Sequence, residues 1–166
     1  GTVVYSLRQV PVDVVGKTVM VMGQGSAGYF FAWSLKHAGA AKVIVSDKMP
    51  ARLAVSRHFG ADVAVQAGKE AYQAVMDNTG GEGVDYLVEA VGNQDALAQS
   101  ISLIKEGGHG LYFGLPDSKE LVPFNFHDFQ RRRLTINATT HALRDHSLIS
   151  FKRAPDLIVT KQIDVA

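Results

Sequence analysis

Short apolar runs alternate with stretches of helical periodicity along most of the chain. The runs predict six strands, at residues 18–22, 42–46, 63–65, 84–89, 110–113 and 134–138. The stretches between and beside them predict helices at 2–9, 27–37, 50–59, 69–78, 95–104 and 146–160, with a single helical turn at 126–130. Nearly continuous apolar strands joined by short connections are typical of parallel sheets buried on both faces. The pattern therefore predicts an α/β fold with a doubly wound six-stranded parallel sheet and helices on both faces.

Glycine, proline and acidic residues set the expected ends of these elements. Gly39 and Gly60 follow predicted helices, where a C-terminal glycine is favoured. Asp95 is expected to cap the helix at 95–104, and Pro155 to break the last helix. Residues 106–108, Glu-Gly-Gly, are expected to form a turn before the fifth strand.

Composition narrows the class of protein. The 166 residues suffice for one well-buried domain, and 46% are hydrophobic and 20% charged. A net charge of +1 gives no electrostatic reason to expect nucleic acid or an anionic membrane surface as partner. The chain has no cysteine, which excludes disulfides and thiolate zinc sites. No apolar stretch approaches a membrane span and no secretory signal is evident, so we expect a cytoplasmic protein.

The stretch GQGSAG lies where the first apolar run gives way to a helical stretch. Gly23 permits a tight turn, Gly25 lets backbone approach a pyrophosphate, and Gly28 lets the helix pack close to the strand. The helix N-terminus offers N–H groups and a positive dipole end to a phosphate. Ser26 and Ala27 lie in the same loop, and the Ser26 hydroxyl is a further donor or only favours the turn. Together these residues predict a dinucleotide site in a Rossmann fold.

Asp47 is 19 positions beyond Gly28, at the end of the second predicted strand. A carboxylate there accepts hydrogen bonds from the adenosine ribose hydroxyls and repels a 2′-phosphate, which favours NAD over NADP. The alternative is that Asp47 only caps the following helix. Arg52 lies one turn on, where its guanidinium can reach the ribose or the adenine, and NADP remains the second choice.

The ends of the later strands are expected to complete the site, because ligands of such folds bind at the carboxyl ends of the strands. These ends contribute Val91 and Gly92, then Phe113, Gly114 and Leu115, and finally Asn137. Gly92 either serves a strand-to-helix turn or contacts the ligand. For Gly114 we expect backbone contact with the nicotinamide half.

The histidines do not predict a metal or catalytic site. His37 and His58 lie near helix ends, where a histidine interacts well with the helix dipole. His141 and His146 are five residues apart, which is not the spacing that places two ligands on one helix face. No Ser/His/acid arrangement is recognisable, so we expect neither a catalytic residue nor a metal ligand in this chain.

With these residues placed, four stretches in order resemble one family. They are VGKTVMVMGQGSAG, VIVSDKMPARLAVSRHFGAD, GGEGVDYLVEAVG and KEGGHGLYFGLP. They resemble the coenzyme-binding domain of the medium-chain dehydrogenases, the zinc-type alcohol, sorbitol and threonine dehydrogenases. An arginine five residues after the ribose acid is typical of sorbitol-dehydrogenase-like members, and Arg52 matches it. The region NATTHA and Pro155 depart from the family pattern.

The resemblance implies NAD(P)-linked oxidation of an alcohol or polyol by hydride transfer. It also implies that residues 1–166 form only the dinucleotide-binding domain of a truncated or excised chain. The catalytic domain, with the zinc and the determinants of the small alcohol or polyol substrate, would lie elsewhere, and a homodimer could form through a sheet edge. Three alternatives stay open: a standalone NAD(H)-sensing module without activity, a methyltransferase, and an NADP-linked zinc-free quinone reductase relative.

Overall fold

The structure is a computed structural model that describes residues 1–9, 13–116, 119, 124–139, 145 and 148–163. Its strands are β1 (Thr18–Met22), β2 (Lys42–Asp47), β3 (Val63–Gln66), β4 (Val84–Glu89), β5 (Ile104–Tyr112) and β6 (Thr135–Ala138). Its helices are α1 (Thr2–Gln9), α2 (Ser26–His37), α3 (Pro50–Ser56), α4 (Lys69–Thr79), α5 (Gln94–Leu103), α6 (Phe126–Arg131) and α7 (Ile149–Val159). A 3₁₀ turn, Arg57–Phe59, extends α3.

The six strands form one parallel sheet in the order β3-β2-β1-β4-β5-β6, which confirms the predicted doubly wound fold. The chain winds outward from β1 to β3, then returns to the centre and winds the other way from β4 to β6. The strand order therefore reverses between β1 and β4, where such sheets open a crevice. In the register, Met22 lies beside Ser46 of β2 and beside Glu89 of β4, so the carboxyl ends of these three strands are level.

Alternate residues of the central strands feed two separate cores. Val19 and Val21 point toward α1 and α2, whereas Met20 and Met22 point toward α4 and α5. These four side chains are at most 2% exposed. Burial on both faces explains why the central strands are continuous apolar runs rather than alternating ones.

The structure corrects the sequence prediction at two element ends. Strand β5 begins at Ile104 and has no turn at 106–108: the register shifts there, and Gly107, with φ of 70°, donates its N–H to the carbonyl of Arg132. Helix α5 is capped by Asn93, whose side chain accepts the N–H of Ala96 at 2.8 Å, so the predicted cap Asp95 lies inside the first turn.

Pro155 does not break the last helix. Helix α7 continues through it, losing the one N–H that proline lacks. Across the described ranges of the chain, no helix has the length and apolar character needed to cross a membrane.

Candidate functional site

A cleft of about 270 Å³ opens where β1, β2 and β4 end. Four residues singled out from the sequence line it: Gly23, Asp47, Arg52 and Val91. Sequence reasoning did not assign Met49, Asn93, Asp95 and Gln99 to a site, yet they line the same cleft. The first turn of α5 thus forms the wall opposite Asp47. The sequence signal that could have indicated this wall is Asn93, a capping residue soon after the fourth strand.

The glycine loop turns off β1 in a conformation that requires two of its glycines. Gly23 has φ of 86°, and a Cβ there would lie 2.8 Å from Val91 Cγ2. A Cβ on Gly28 would lie only 1.9 Å from the carbonyl oxygen of Gly23. Helix α2 can therefore start directly against the end of β1 only with glycine at position 28.

Gly25 differs from these two glycines because a Cβ placed on it would meet no atom within 4 Å. It is the N-cap of α2, and no side chain caps that helix. Helix α2 therefore starts beside unfilled space at Gly25, and its first turn holds no acidic residue. A helix start of this kind binds anions through its N–H groups and its dipole.

The Asp47 carboxylate is fixed in place by backbone amides. Its Oδ2 accepts the N–H of Gln24 at 2.6 Å, and its Oδ1 accepts the N–H of Met49 at 2.8 Å. The residue is 6% exposed, and it does not cap α3, whose N-cap is Met49. Each carboxylate oxygen can accept more than one hydrogen bond, so acceptor capacity toward the cleft remains. The loop after β1 and the acid at the end of β2 are thus one hydrogen-bonded unit.

Arg52 lies over this carboxylate. Its Nη1 is 3.5 Å from Asp47 Oδ2, and its side chain is 53% exposed. The Tyr29 hydroxyl donates to the backbone carbonyl of Arg52 at 3.0 Å, which joins α2 to α3 beside the cleft. Because more than half of the Arg52 side chain is exposed, its guanidinium is accessible to a ligand in the cleft.

Gln24 is a residue of the loop whose role was not evident from the glycine spacing. Its side chain is fully buried, donates to the Gly23 carbonyl at 3.0 Å and accepts from the Ser56 hydroxyl at 3.1 Å. It therefore ties the glycine loop to the end of α3. The motif spacing treats this position as free, so only the three-dimensional structure reveals it.

The other predicted site residues fall into three further places. Ser26, Ala27 and Phe113 line a mainly apolar groove of about 300 Å³ between α1, α2 and α7. Phe113 packs edge-on against Phe31 of α2, with ring centroids 5.0 Å apart. Asn137 is exposed on β6, the edge strand of the sheet.

Gly92, Gly114 and Leu115 meet one another at the ends of β4 and β5. A Cβ on Gly92, which has φ of 89°, would lie 2.0 Å from the Leu115 carbonyl oxygen. A Cβ on Gly114 would lie 2.2 Å from the Gly92 nitrogen. Close contact between these two chain segments is therefore sufficient to require both glycines.

The two histidines near helix ends pack against aromatic side chains. His37 Nδ1 lies 2.8 Å from the carbonyl oxygen of Trp33, on whose ring it stacks. His58 packs edge-on against Phe59. His141 and His146 lie outside the described residues. Among those that are described, no group of three or more histidine, aspartate and glutamate side chains is placed to hold a metal ion.

Comparison with known proteins identifies a matching family. The family described as zinc-binding dehydrogenase matches residues 28–149. The chain is 35% identical over 114 residues to an L-threonine 3-dehydrogenase of Alteromonas mediterranea, a match covering 68% of this chain and 33% of the relative. It is 31% identical over 129 residues to the enzyme of the same name from Bacillus velezensis, covering 77% and 37%. The chain thus spans about a third of the length of the curated relatives it matches.

Solved structures agree with this match. An alcohol dehydrogenase from Thermotoga maritima superposes with a TM-score of 0.80 at 26% identity, over 98% of this chain and 46% of that one. A Sinorhizobium meliloti protein named as a zinc-binding dehydrogenase, solved with NADP bound, gives a TM-score of 0.82 at 25% identity, over 99% and 48%. Both likenesses extend over nearly the whole of the present chain.

Proposed function

The chain belongs to the zinc-binding dehydrogenase family, and we propose that it forms the NAD-binding part of a zinc-type alcohol or polyol dehydrogenase. The observation that carries the proposal is the hydrogen bond from the Gln24 N–H to Asp47 Oδ2. It holds the phosphate loop and the acidic residue as one unit at the switch point of the sheet. The homology to threonine and alcohol dehydrogenases supports the same assignment.

The residues present fit a dinucleotide in three respects. The open space beside Gly25 accommodates a pyrophosphate, and the uncapped start of α2 offers N–H donors to it. The Asp47 carboxylate accepts from the adenosine ribose hydroxyls, with Arg52 beside it. The first turn of α5, including Asn93 and Asp95, forms the outer wall of the adenine end. NAD bound there supplies a hydride acceptor for the oxidation of an alcohol.

Asp47 favours NAD over NADP. A 2′-phosphate would place negative charge against a carboxylate that is nearly buried and already fixed by two backbone amides. The carboxylate cannot swing away without losing both hydrogen bonds. Arg52 is the group that would compensate a phosphate, and a relative in this family is solved with NADP bound, so the two residues oppose each other in cofactor choice. We infer that the anchored acid outweighs the exposed cation.

The remainder of the proposed enzyme would contribute the reaction itself. We propose that residues 1–166 act as one dinucleotide-binding domain and that the zinc and the groups acting on the substrate belong to a catalytic domain outside this chain. The substrate would be a small alcohol or polyol, as the names of the threonine and alcohol dehydrogenase relatives suggest. A homodimer formed through the sheet edge at β6 is part of the same proposal.

Replacement of Asp47 tests the proposal. We expect Asp47→Ala to weaken NADH binding at least about tenfold, since a hydrogen bond to a charged group contributes about 1.5–3 kcal/mol. Binding is measured by the fluorescence of bound NADH. Asp62→Ala is the matched control, because Asp62 likewise accepts a backbone N–H of β2, from Val43 at 2.7 Å, and pairs with Lys36, but lies outside the cleft. Equal affinity in both variants, or no NADH binding by the unmodified chain, would overturn the proposal.

A further inference from the structure

Glu89, the last residue of β4, joins two turns at the end of the sheet. Its Oε1 accepts the N–H groups of Val91 at 2.7 Å and Gly92 at 2.8 Å. Its backbone carbonyl accepts those of Phe113 at 2.8 Å and Gly114 at 3.0 Å. One residue thus receives four amides from the segments that follow β4 and β5. The conformations of the two segments are coupled through it.

The carboxyl group also occupies the space that a side chain on Gly114 would need. An ideal Cβ at that glycine would lie 2.7 Å from Glu89 Oε2. Gly114 is therefore side-chain-free because Glu89 and Gly92 fill its surroundings. This gives the two glycines a physical reason that does not require contact with a ligand.

Glu89 is held at a cost in stability. Its side chain is fully buried, and its Oε2 has no hydrogen-bond partner among the residues that the structure describes. A buried polar atom without a partner is destabilising, so an apolar residue would be favoured here if packing were the sole requirement. The two hydrogen bonds that Oε1 accepts give a physical reason for a carboxyl group at this position.

The position of these turns links them to the cofactor. In the proposed function the acid at the end of β2 takes the adenosine ribose, and the loop after β1 takes the phosphates. The nicotinamide half must then extend in the other direction, over the ends of β4 and β5. Those ends are the segments that Glu89 holds together.

We propose that Glu89 is a positioning residue for the nicotinamide half of the bound dinucleotide. By fixing Val91–Gly92 against Phe113–Gly114, it preorganises the backbone edge on which that half rests, without touching the ligand. This inference rests on the proposed function of the chain. It assigns a role to a residue that lies outside the glycine motif and the ribose acid.

Two ligands separate positioning from general stability. ADP probes only the adenosine and phosphate half of the cleft, whereas NADH probes both halves. We expect Glu89→Ala to weaken NADH binding about tenfold. ADP binding should fall by less than about threefold, because Val91 is the one residue of the two segments that also lines the cleft beside Asp47. The emission of NADH bound to this variant should move toward that of free NADH, because the nicotinamide is less well held.

Two conservative variants identify which property of Glu89 matters and cover the case in which the alanine variant does not fold. Glu89→Gln keeps an oxygen within reach of both amides but removes the charge, so NADH binding should stay within about threefold. Glu89→Asp keeps the charge but draws the oxygens back by one methylene, so it should lose NADH affinity selectively. The opposite ranking of these two variants would contradict the proposal.

Asp85→Ala is the matched control on the same strand. Asp85 accepts the N–H of Thr18 at 2.9 Å and pairs with Lys105 at the opposite end of β4. Its loss should lower the melting temperature but leave the ratio of NADH to ADP affinity unchanged. If Glu89→Asp lost affinity for NADH and ADP equally, or if the control changed the NADH-to-ADP affinity ratio as much, Glu89 would have only a structural role. Absence of NADH binding in the unmodified chain would instead refute the proposed function.

Discussion

The two ends of the proposed cofactor site use glycine in opposite ways. At the end built from β1 and β2, Gly25 leaves space that no atom of the described chain fills. At the end built from β4 and β5, Gly92 and Gly114 lie in contact with each other, and the carboxyl of Glu89 fills what remains. The missing side chain thus leaves a void at Gly25, whereas at Gly92 and Gly114 the protein itself fills the space.

The largest effect is expected at Gly28, where the start of α2 packs against the end of β1. Gly28→Ala should destabilise the fold by about 2–3 kcal/mol, because the new Cβ meets the Gly23 carbonyl oxygen, a backbone atom that cannot rotate away. Urea unfolding measures the loss. A stability unchanged from the unmodified chain would show that α2 does not start against β1 as described.

At Gly25, replacement should cause a smaller loss of stability but a clear loss of nucleotide binding. Gly25→Ala should cost at most about 1 kcal/mol, since Gly25 has φ of −79°, which alanine adopts readily, and alanine is only a poorer N-cap. Its methyl group would nevertheless stand where the pyrophosphate is expected, so ADP and NADH should both bind about tenfold more weakly. Urea unfolding and the two titrations together give the contrast with Gly28→Ala. Normal ADP binding by the variant would mean that the phosphates lie elsewhere.

The smallest expected effect is a difference in how two acids on β4, Glu89 and Asp85, make stability depend on pH. Burial raises the pKa of Glu89, although the N–H groups of Gly92 and Val91 oppose it. Burial alone would also raise the pKa of Asp85, but hydrogen bonds from Lys105 and Thr18 and the lysine charges outweigh it and lower that pKa. Tyr112, next to Glu89, has its pKa raised chiefly by burial and stays neutral in this range.

The two shifts have opposite consequences for stability. The stabilisation from Glu89 is present below its unfolded pKa, about 4.3, and is lost as pH rises through the raised native value. Glu89→Gln should therefore gain stability relative to the unmodified chain as pH rises above about 4.3. Asp85 stabilises the fold above its unfolded pKa, about 3.9, and this stabilisation is lost as pH falls. Asp85→Asn should therefore be less stable than the unmodified chain at neutral pH, and the difference should shrink in acid. Urea unfolding across this pH range measures the difference in unfolding free energy between each variant and the unmodified chain. If the two differences changed with pH in the same direction, the environments assigned to Glu89 and Asp85 would be contradicted.

The sheet could be predicted from sequence because its strands are buried on both faces and therefore appear as continuous apolar runs. The start of β5 could not, because Gly107 and Gly108 are typical of a turn, and only pairing of Ile104 with Val84 shows that the strand has begun. Asn93 and Asp95 are both good caps, and the sequence does not show that α5 begins directly after Asn93. Pro155 removes one N–H without preventing the helix from continuing.

The adenine end of the proposed site was easier to predict from sequence than its nicotinamide end. The glycine spacing and Asp47 form a pattern with a stated physical cause, and the structure brings them into direct hydrogen bonding. Glu89 carries no such pattern, since it is only the last residue of an apolar strand. Its importance depends on full burial and on four amides from two segments distant in sequence, which appear only when the chain is folded.

The most direct test of the account is the ratio of NADPH to NADH dissociation constants for the unmodified chain, measured by fluorescence titration at fixed salt concentration. The anchored Asp47 carboxylate predicts that NADH binds at least about tenfold more tightly than NADPH. Asp47→Ala should bring the two constants close together, because the ribose acceptor and the repulsion of the 2′-phosphate disappear at once. Equal or tighter binding of NADPH by the unmodified chain would contradict the role assigned to Asp47.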